Sequence, residues 1–314
     1  ISFFGGGSDF PAHFCQFGGK VLSCAINKYC YLNVRKLPPF FAHKHRVVYS
    51  KIENVSSFSE IQHPAVRAVL EYLQPDCGIS VLHDGDIPAR SGIGSSSAFT
   101  VGLLNCLFTL FGKPVTAKIL AETAIYVEQE LIREIVGCQD QICCAYGGFN
   151  VIDFHQSGDF SVNPLKITPQ RLFELKSHLM LIYTGISRIS SEVAEEQNRN
   201  LPNNASRLQQ LSDFASQAEE ILLSGRDLRE FGDLLHQSWL IKRSLSERIS
   251  SSELDQIYQC AIQAGAWGGK LLGAGAGGFM LFFVPPEKHA RVTEALHGLL
   301  RVPFDIDMEG SKII

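Results

Sequence analysis

The chain has 314 residues, 45% of them apolar and 19% charged, with a formal net charge of −4, which suits a soluble globular protein of two domains with a substantial core. That balance gives no footprint for nucleic acid, the one short basic cluster (His43-Lys44-His45-Arg46) reads as a solvated turn, and no apolar run approaches the ~20 residues that span a bilayer. Nine cysteines without a C-x-x-C pair fit neither a zinc site nor a disulfide framework, and with no leader at the start they predict reduced thiols in a cytoplasmic protein.

In chain order, short β-rich runs come first, over residues 1–4, 19–26, 29–35, 46–49 and 78–83. Helices are predicted over 63–73, 96–111, 116–136 and 139–146, and a strand over 147–153. Residues 156–169, with their Gly, Asp, Asn and Pro, read as a hairpin and linker, which puts a domain boundary near residue 170. The second half offers a strand at 179–183, helices over 190–198, 205–223, 227–245 and 252–264, a strand at 278–284, a helix over 286–300 and a β-like tail. Strand and helix do not alternate strictly enough for a doubly wound parallel sheet, so two α+β domains, 1–170 and 171–314, are expected.

Three glycine-rich segments stand far apart: F-F-G-G-G-S-D-F-P at 3–11, S-G-I-G-S-S-S-A at 91–98 and K-L-L-G-A-G-A-G-G-F at 270–279. The middle one runs into a helix that is apolar almost all round and therefore buried. Ser95 or Ser96 is a good N-cap there, so the segment taken by itself favours a capped core helix, with an anion site at a positive helix end as the other reading. The last segment contains a formal G-x-G-x-x-G, but helix and turn precede it and a buried strand follows, the wrong context for a dinucleotide fold. Walker A and G-x-S-x-G patterns are absent.

Among the acids, Glu128 and Glu134 border the apolar stripe Leu120, Ala124, Val127, Leu131 and Ile135, with Glu130 further round; spacing does not choose between them. Asp140 sits among apolar and small residues, where a carboxylate is costly unless it caps a helix or does chemistry. Asp9 closes the first glycine segment and is also a natural turn residue.

Taken together, P-A-R-S-G-I-G-S-S-S-A and K-L-L-G-A-G-A-G-G resemble the nucleotide loop and C-terminal glycine motif of the GHMP kinases. The segments F-F-G-G-G-S-D-F-P, L-P-P-F-F-A-H-K-H-R, Q-D-Q-I-C-C-A-Y-G-G-F-N and Y-T-G-I-S-R-I-S-S-E-V are similar to those of the bacterial heptose 7-phosphate kinases within that superfamily. The resemblance implies an N-terminal domain like ribosomal protein S5 domain 2 and a C-terminal ferredoxin-like domain, with ATP and Mg²⁺ as cofactors. It implies nucleotide contacts from Pro88, Ser91, Gly92, Ile93, Gly94, Ser95, Ser96 and Ser97, and Mg²⁺ on Ser96 and Glu128. Asp140 would be the catalytic base, and Gly6, Gly7, Ser8, Asp9, Asp140, Gly273, Gly275 and Gly277 would meet a sugar phosphate.

The substrate's own phosphate needs a cation, for which Lys20, Arg35, Lys44, Arg46, Arg90 and Arg188 are available; Arg188, in a small-residue loop after a strand, is favoured. Family members commonly carry an arginine immediately before the residue that is Ile1 here, so residues upstream are expected. Ser8 replaces the family's usual threonine and Ala276 a glycine. A monomer or homodimer is expected, without nucleic acid or membrane partners. The main expectation is phosphorylation of the anomeric hydroxyl of D-glycero-D-manno-heptose 7-phosphate. The alternatives are another GHMP sugar or phosphosugar kinase, of the galactose or fucose kind, or a sugar sensor on the same fold.

Overall fold

The structure, a computed structural model, describes residues 1–89, 91–186, 196 and 201–314, without the side chains of 201–203. Arg90, Arg188 and the helix expected over 190–198 therefore lie outside the described residues, apart from residue 196.

β1 (Ser2–Phe4) leads through the first glycine segment to α1 (Pro11–Phe17) and β2 (Gly19–Cys24). β3 (Cys30–Leu37), β4 (His45–Val48), β5 (Ile52–Val55), α2 (Pro64–Leu73) and β6 (Gly78–Gly85) follow. Next come α3 (Ser95–Leu110), α4 (Ala117–Tyr126), a π-helical turn (Val127–Leu131) and α5 (Gln139–Tyr146). β7 (Phe149–Phe154), β8 (Phe160–Pro164), α6 (Pro169–Ser177) and β9 (Leu179–Tyr183) take the chain to its midpoint. Beyond lie α7 (Leu201–Leu223), α8 (Leu228–Arg243), α9 (Ser252–Ala264), β10 (Gly268–Leu271), β11 (Phe279–Phe283), α10 (His289–Ala295) and β12 (Leu300–Val302).

The strands form three four-stranded sheets, ordered β1-β2-β7-β8, β3-β6-β4-β5 and β10-β11-β9-β12. Every pairing is antiparallel except β4 with β6. This is the mixed, non-Rossmann architecture that the element order implies. Alternation along the first sheet divides its side chains between two hydrophobic cores. Phe4, Leu22 and Val151 join the core built on β9, β11, α7 and α8, whereas Val21, Ile152 and Phe154 join the one around α2, α3 and α4.

Local chemistry sets most helix starts. Pro64 opens α2 with His63 Nδ1 accepting from Val66 N–H, and the Thr116 and Ser251 side chains accept from Ile119 and Leu254 N–H to cap α4 and α9. The helix expected over 116–136 stops earlier. At Val127–Leu131 it widens into a π turn, and Arg133 takes φ +64°, which ends it. The apolar stripe therefore fails at its far end, where Leu131 and Ile135 are 39% and 37% exposed.

The helix expected over 286–300 is instead a 3₁₀ turn (Pro286–Lys288), α10 and β12, broken at Gly298 with φ +90°. Short α1, α6, β5 and β10 were not foreseen. β10 corrects the reading of the third glycine segment, which follows a strand after all. That strand pairs antiparallel with the strand behind it, so the dinucleotide fold is still excluded. Residue 170 falls in the first turn of α6. No helix among the described residues is long and apolar enough to cross a membrane.

Candidate active site

α3 begins at Ser95 on an N-cap that is Gly94, at φ +75°, with no side-chain hydrogen bond closing the end. The expected serine cap is thus not used; the serines are inside the helix, and its first N–H groups are left for a ligand. Ser95 is half-buried, Ser96 exposed and Ser97 buried. Upstream, Pro88 is exposed, Ile93 packs on the larger core, and Ser91 is buried with its hydroxyl unpartnered.

The second and third glycine segments touch backbone to backbone. A Cβ on Gly273 would lie 2.5 Å from Gly92 Cα, and one on Gly278 would lie 2.1 Å from the Ser91 carbonyl oxygen. Gly275 and Gly277 face elsewhere, against Ile249 and the Ile186 carbonyl, so of the three glycines expected to shape this motif only Gly273 meets the loop.

Asp140, on the first turn of α5, stands beside that helix front: a Cβ on Gly94 would be 3.4 Å from its Cγ. Burial pushes its pKa up to about 6, opposed first by the Ile1 ammonium and then by Lys242, with the Asp9 charge adding. Asp9 is wholly buried. Its Oδ1 accepts from Gly7 N–H (2.8 Å) and its Oδ2 from Gln139 N–H (3.1 Å), and a side chain on Gly137 would strike it at 1.9 Å. Burial raises its pKa while those main-chain bonds pull it down. Asp9 thereby fastens the first glycine segment to α5. Ser8 was expected at the substrate but is turned inward. Its hydroxyl donates to the Gly5 carbonyl (2.8 Å) and accepts from Lys20 N–H (3.2 Å), locking the turn.

Glu128 is buried in the π turn rather than on the edge of a helix face. Its Oε2 accepts from Ser97 Oγ (3.0 Å) and Gln141 Nε2 (2.5 Å), and its Oε1 has no partner. Burial raises its pKa to about 7 against the side chains of Thr100, Gln141 and Ser97, which favour the charged form. An orphaned carboxylate oxygen beside serine hydroxyls fits a hard divalent cation that completes its shell with phosphate oxygens and water. Among the described residues no three His, Cys, Asp or Glu converge on a metal, so a cation here would need those outside ligands. Ser97 is the serine that touches Glu128, and Ser96, expected on the metal, stands exposed one residue before it.

Of the candidate cations, Lys20 is committed to Asp153 (3.4 Å) and Glu219 (3.3 Å), while Arg35, Lys44 and Arg46 are exposed on or beside β3 and β4. The cation that faces the acids was missed. Lys242, in the last turn of α8, donates to the carbonyls of Leu271 (2.9 Å) and Gly273 (2.5 Å). Burial lowers its pKa to about 8, partly offset by the charges of Asp140 and Asp9. A lysine ending an amphipathic helix reads in sequence as a dipole partner, so only the folded chain distinguishes it.

Models of the GHMP kinases N terminal domain and the GHMP kinases C terminal match residues 60–148 and 215–300. The D-glycero-alpha-D-manno-heptose 7-phosphate kinase of Campylobacter jejuni is 30% identical over 306 residues, spanning 93% of this chain and 89% of its own. The chain is a GHMP kinase. This GHMP kinase shares its fold, at a TM-score of 0.80 and 23% identity, with a D-glycero-D-manno-heptose 1-phosphate kinase of Bacteroides thetaiotaomicron, covering 99% of this chain and 94% of that one. A galactokinase of Lactococcus lactis with bound galactose aligns at 0.76 and 18% identity, over 99% and 92%. As a GHMP kinase it uses ATP as the phosphoryl donor.

Proposed function

We propose that this GHMP kinase is a sugar kinase that moves the γ-phosphoryl of ATP to the anomeric hydroxyl of D-glycero-D-manno-heptose 7-phosphate, giving the 1,7-bisphosphate and ADP. One observation carries the reading: Asp140 stands against Gly94, at the uncapped front of α3. A base and a row of N–H donors then flank the path between a terminal phosphate and an acceptor hydroxyl. The heptose 7-phosphate substrate rests on the relative named above.

Phosphoryl transfer asks mainly for alignment and charge neutralisation. The loop from Ser91 to Ser97 holds the polyphosphate with main-chain donors. Glu128 Oε1 and the exposed Ser96 hydroxyl would hold Mg²⁺, with Ser97 fixing Glu128, and the ion would supply positive charge to the phosphate oxygens. Asp140 takes the proton of the 1-hydroxyl as its oxygen bonds to phosphorus and the bond to the ADP oxygen breaks. Asp9 and Gly7 position the sugar segment against α5. Residues 1–170 and 171–314 form the two domains, and the unpaired cysteines suit the cytoplasm.

The test is ADP release with Mg-ATP over a panel of heptose, hexose and hexosamine sugars and their phosphates. Turnover of the heptose 7-phosphate above all others is expected. Preference for galactose or fucose would replace the substrate. Sugar binding without ADP above the sugar-free blank would replace enzyme with sensor.

A further inference from the structure

Glycines occupy positions 5, 6 and 7, and the backbone explains only two of them. Gly5 has φ +84° and would drive a Cβ to 1.9 Å from the Lys20 carbonyl oxygen; Gly7 has φ +102° and would meet Leu208 at 2.8 Å. Gly6 is under no such constraint. Its φ lies outside the left-handed region, and a Cβ there would find nothing nearer than Ser2 Oγ at 3.4 Å and the Gln139 amide at 3.6 and 3.7 Å. An alanine would therefore fit the chain as folded. What a methyl group at position 6 would remove is the room itself.

The walls of that room are polar and unsatisfied. Ser2 Oγ and Gln139 Oε1 are both shielded from solvent and neither has a hydrogen-bond partner. A buried polar atom left alone costs about 1–3 kcal/mol, so two around one small space mark a place for a missing group. The amide oxygen can only accept, whereas the serine hydroxyl both donates and accepts. A ligand hydroxyl, donating to Gln139 Oε1 and accepting from Ser2 Oγ, satisfies both.

The main chain of Gln139 is anchored. Its N–H is tied to Asp9 Oδ2 at 3.1 Å, and the next residue is Asp140. Gln139 and Asp140 are neighbours on the first turn of α5, which sets this space close to the proposed base. We propose that Ser2, Gly6 and Gln139 form the seat for the sugar hydroxyl vicinal to the one that is phosphorylated, making Gln139 a specificity determinant. This rests on the sugar-phosphate reading above.

The experiment compares kcat and KM for D-glycero-D-manno-heptose 7-phosphate and its 2-deoxy analogue in the wild type, Gln139→Met, Ser2→Ala and Gly6→Ala. KM for ATP and the melting temperature report on the rest of the molecule. The wild type should disfavour the deoxy sugar by about 10²-fold or more in kcat/KM, since a site built for a hydroxyl rejects its absence by up to 10⁴–10⁵. Gln139→Met and Ser2→Ala should each lose at least about 10-fold on the full sugar and little on the deoxy analogue. Gly6→Ala should reject the full sugar while melting as the wild type does and keeping its KM for ATP. Equal losses on both sugars, or full activity of Gly6→Ala, would overturn the seat. A wild type that ignores heptose phosphate but turns over another sugar sinks only the substrate reading, and the same comparison with that sugar and its deoxy form then decides the seat.

Discussion

Three titratable side chains at the candidate site, Asp140, Glu128 and Lys242, sit where burial moves them from their ordinary pKa. Asp140, raised to about 6 by burial, is ionised and able to accept a proton only above that pH. In a profile of kcat/KM against pH, the acid limb should therefore break near 6. Lys242 adds to the Ile1 ammonium in holding that value down, so Lys242→Met should move the break slightly upward, a shift that lost packing alone would not produce. Asp140→Asn should cost about 10²–10⁴-fold in kcat with unchanged ATP binding; near-full turnover would remove it from the base role. Glu128, raised from 4.5 to about 7, makes a different prediction. Its protonated form is favoured in the fold, so that stabilisation is whole below the unfolded value and lost as pH rises through 7. In EDTA, Glu128→Gln should gain melting temperature relative to the wild type between pH 5 and 8; parallel curves would contradict the buried-carboxyl assignment. Glu128 could not be chosen from Glu130 and Glu134 by helical spacing, because the π turn resets the spacing just where it stands.

At the scale of elements, the site is an arrangement of glycine segments, each presented at an end of regular structure. Gly273 combines φ +67° with a Cβ position 2.5 Å from Gly92 Cα, so Gly273→Ala forces the nucleotide loop to move. Strain of about 1–3 kcal/mol should appear as a higher KM for ATP. Gly298→Ala is the control. It has φ +90° with nothing within 4 Å, so it should lower the melting temperature and leave that KM alone. Long amphipathic helices and apolar strands were legible in the sequence: α5, α9 and β9 have the expected bounds. α1, β5 and β10 were not, because they hold too few residues to establish a period, and α6 starts at the end of the segment that reads as a hairpin and linker. The serine cap failed for another reason. A glycine at φ +75° already turns the chain into α3, so the serines fall one step inside the helix.

Across the whole molecule, the halves are joined by buried contacts more than by surface charge. Lys270 reaches from β10 to the carbonyls of Ser2 (2.8 Å) and Phe3 (2.9 Å) in β1, and burial drives its pKa well below the usual lysine range. The Lys20 ion pairs with Asp153 and Glu219 link β2 to β7 and α7, but their side chains are 25–29% exposed. Lys20→Ala should therefore cost only about 0.2–1 kcal/mol in urea denaturation, and less in high salt. A larger loss would mean that the pairs act as a hinge rather than as a surface link.

The sequence by itself determined the α+β class, three glycine segments of one convergent kind, and a carboxylate at position 140 in apolar company. Those features are written in composition and local period. Only the tertiary structure decided that Ser8 faces inward, that Asp9 is spent on main-chain N–H groups, and that Lys242 and Gln139 join the acids. Asp9 and Gln139 meet across 130 positions, and the Ser8 hydroxyl takes its inward direction from the turn that Gly5 and Lys20 close around it; neither leaves a trace in local spacing.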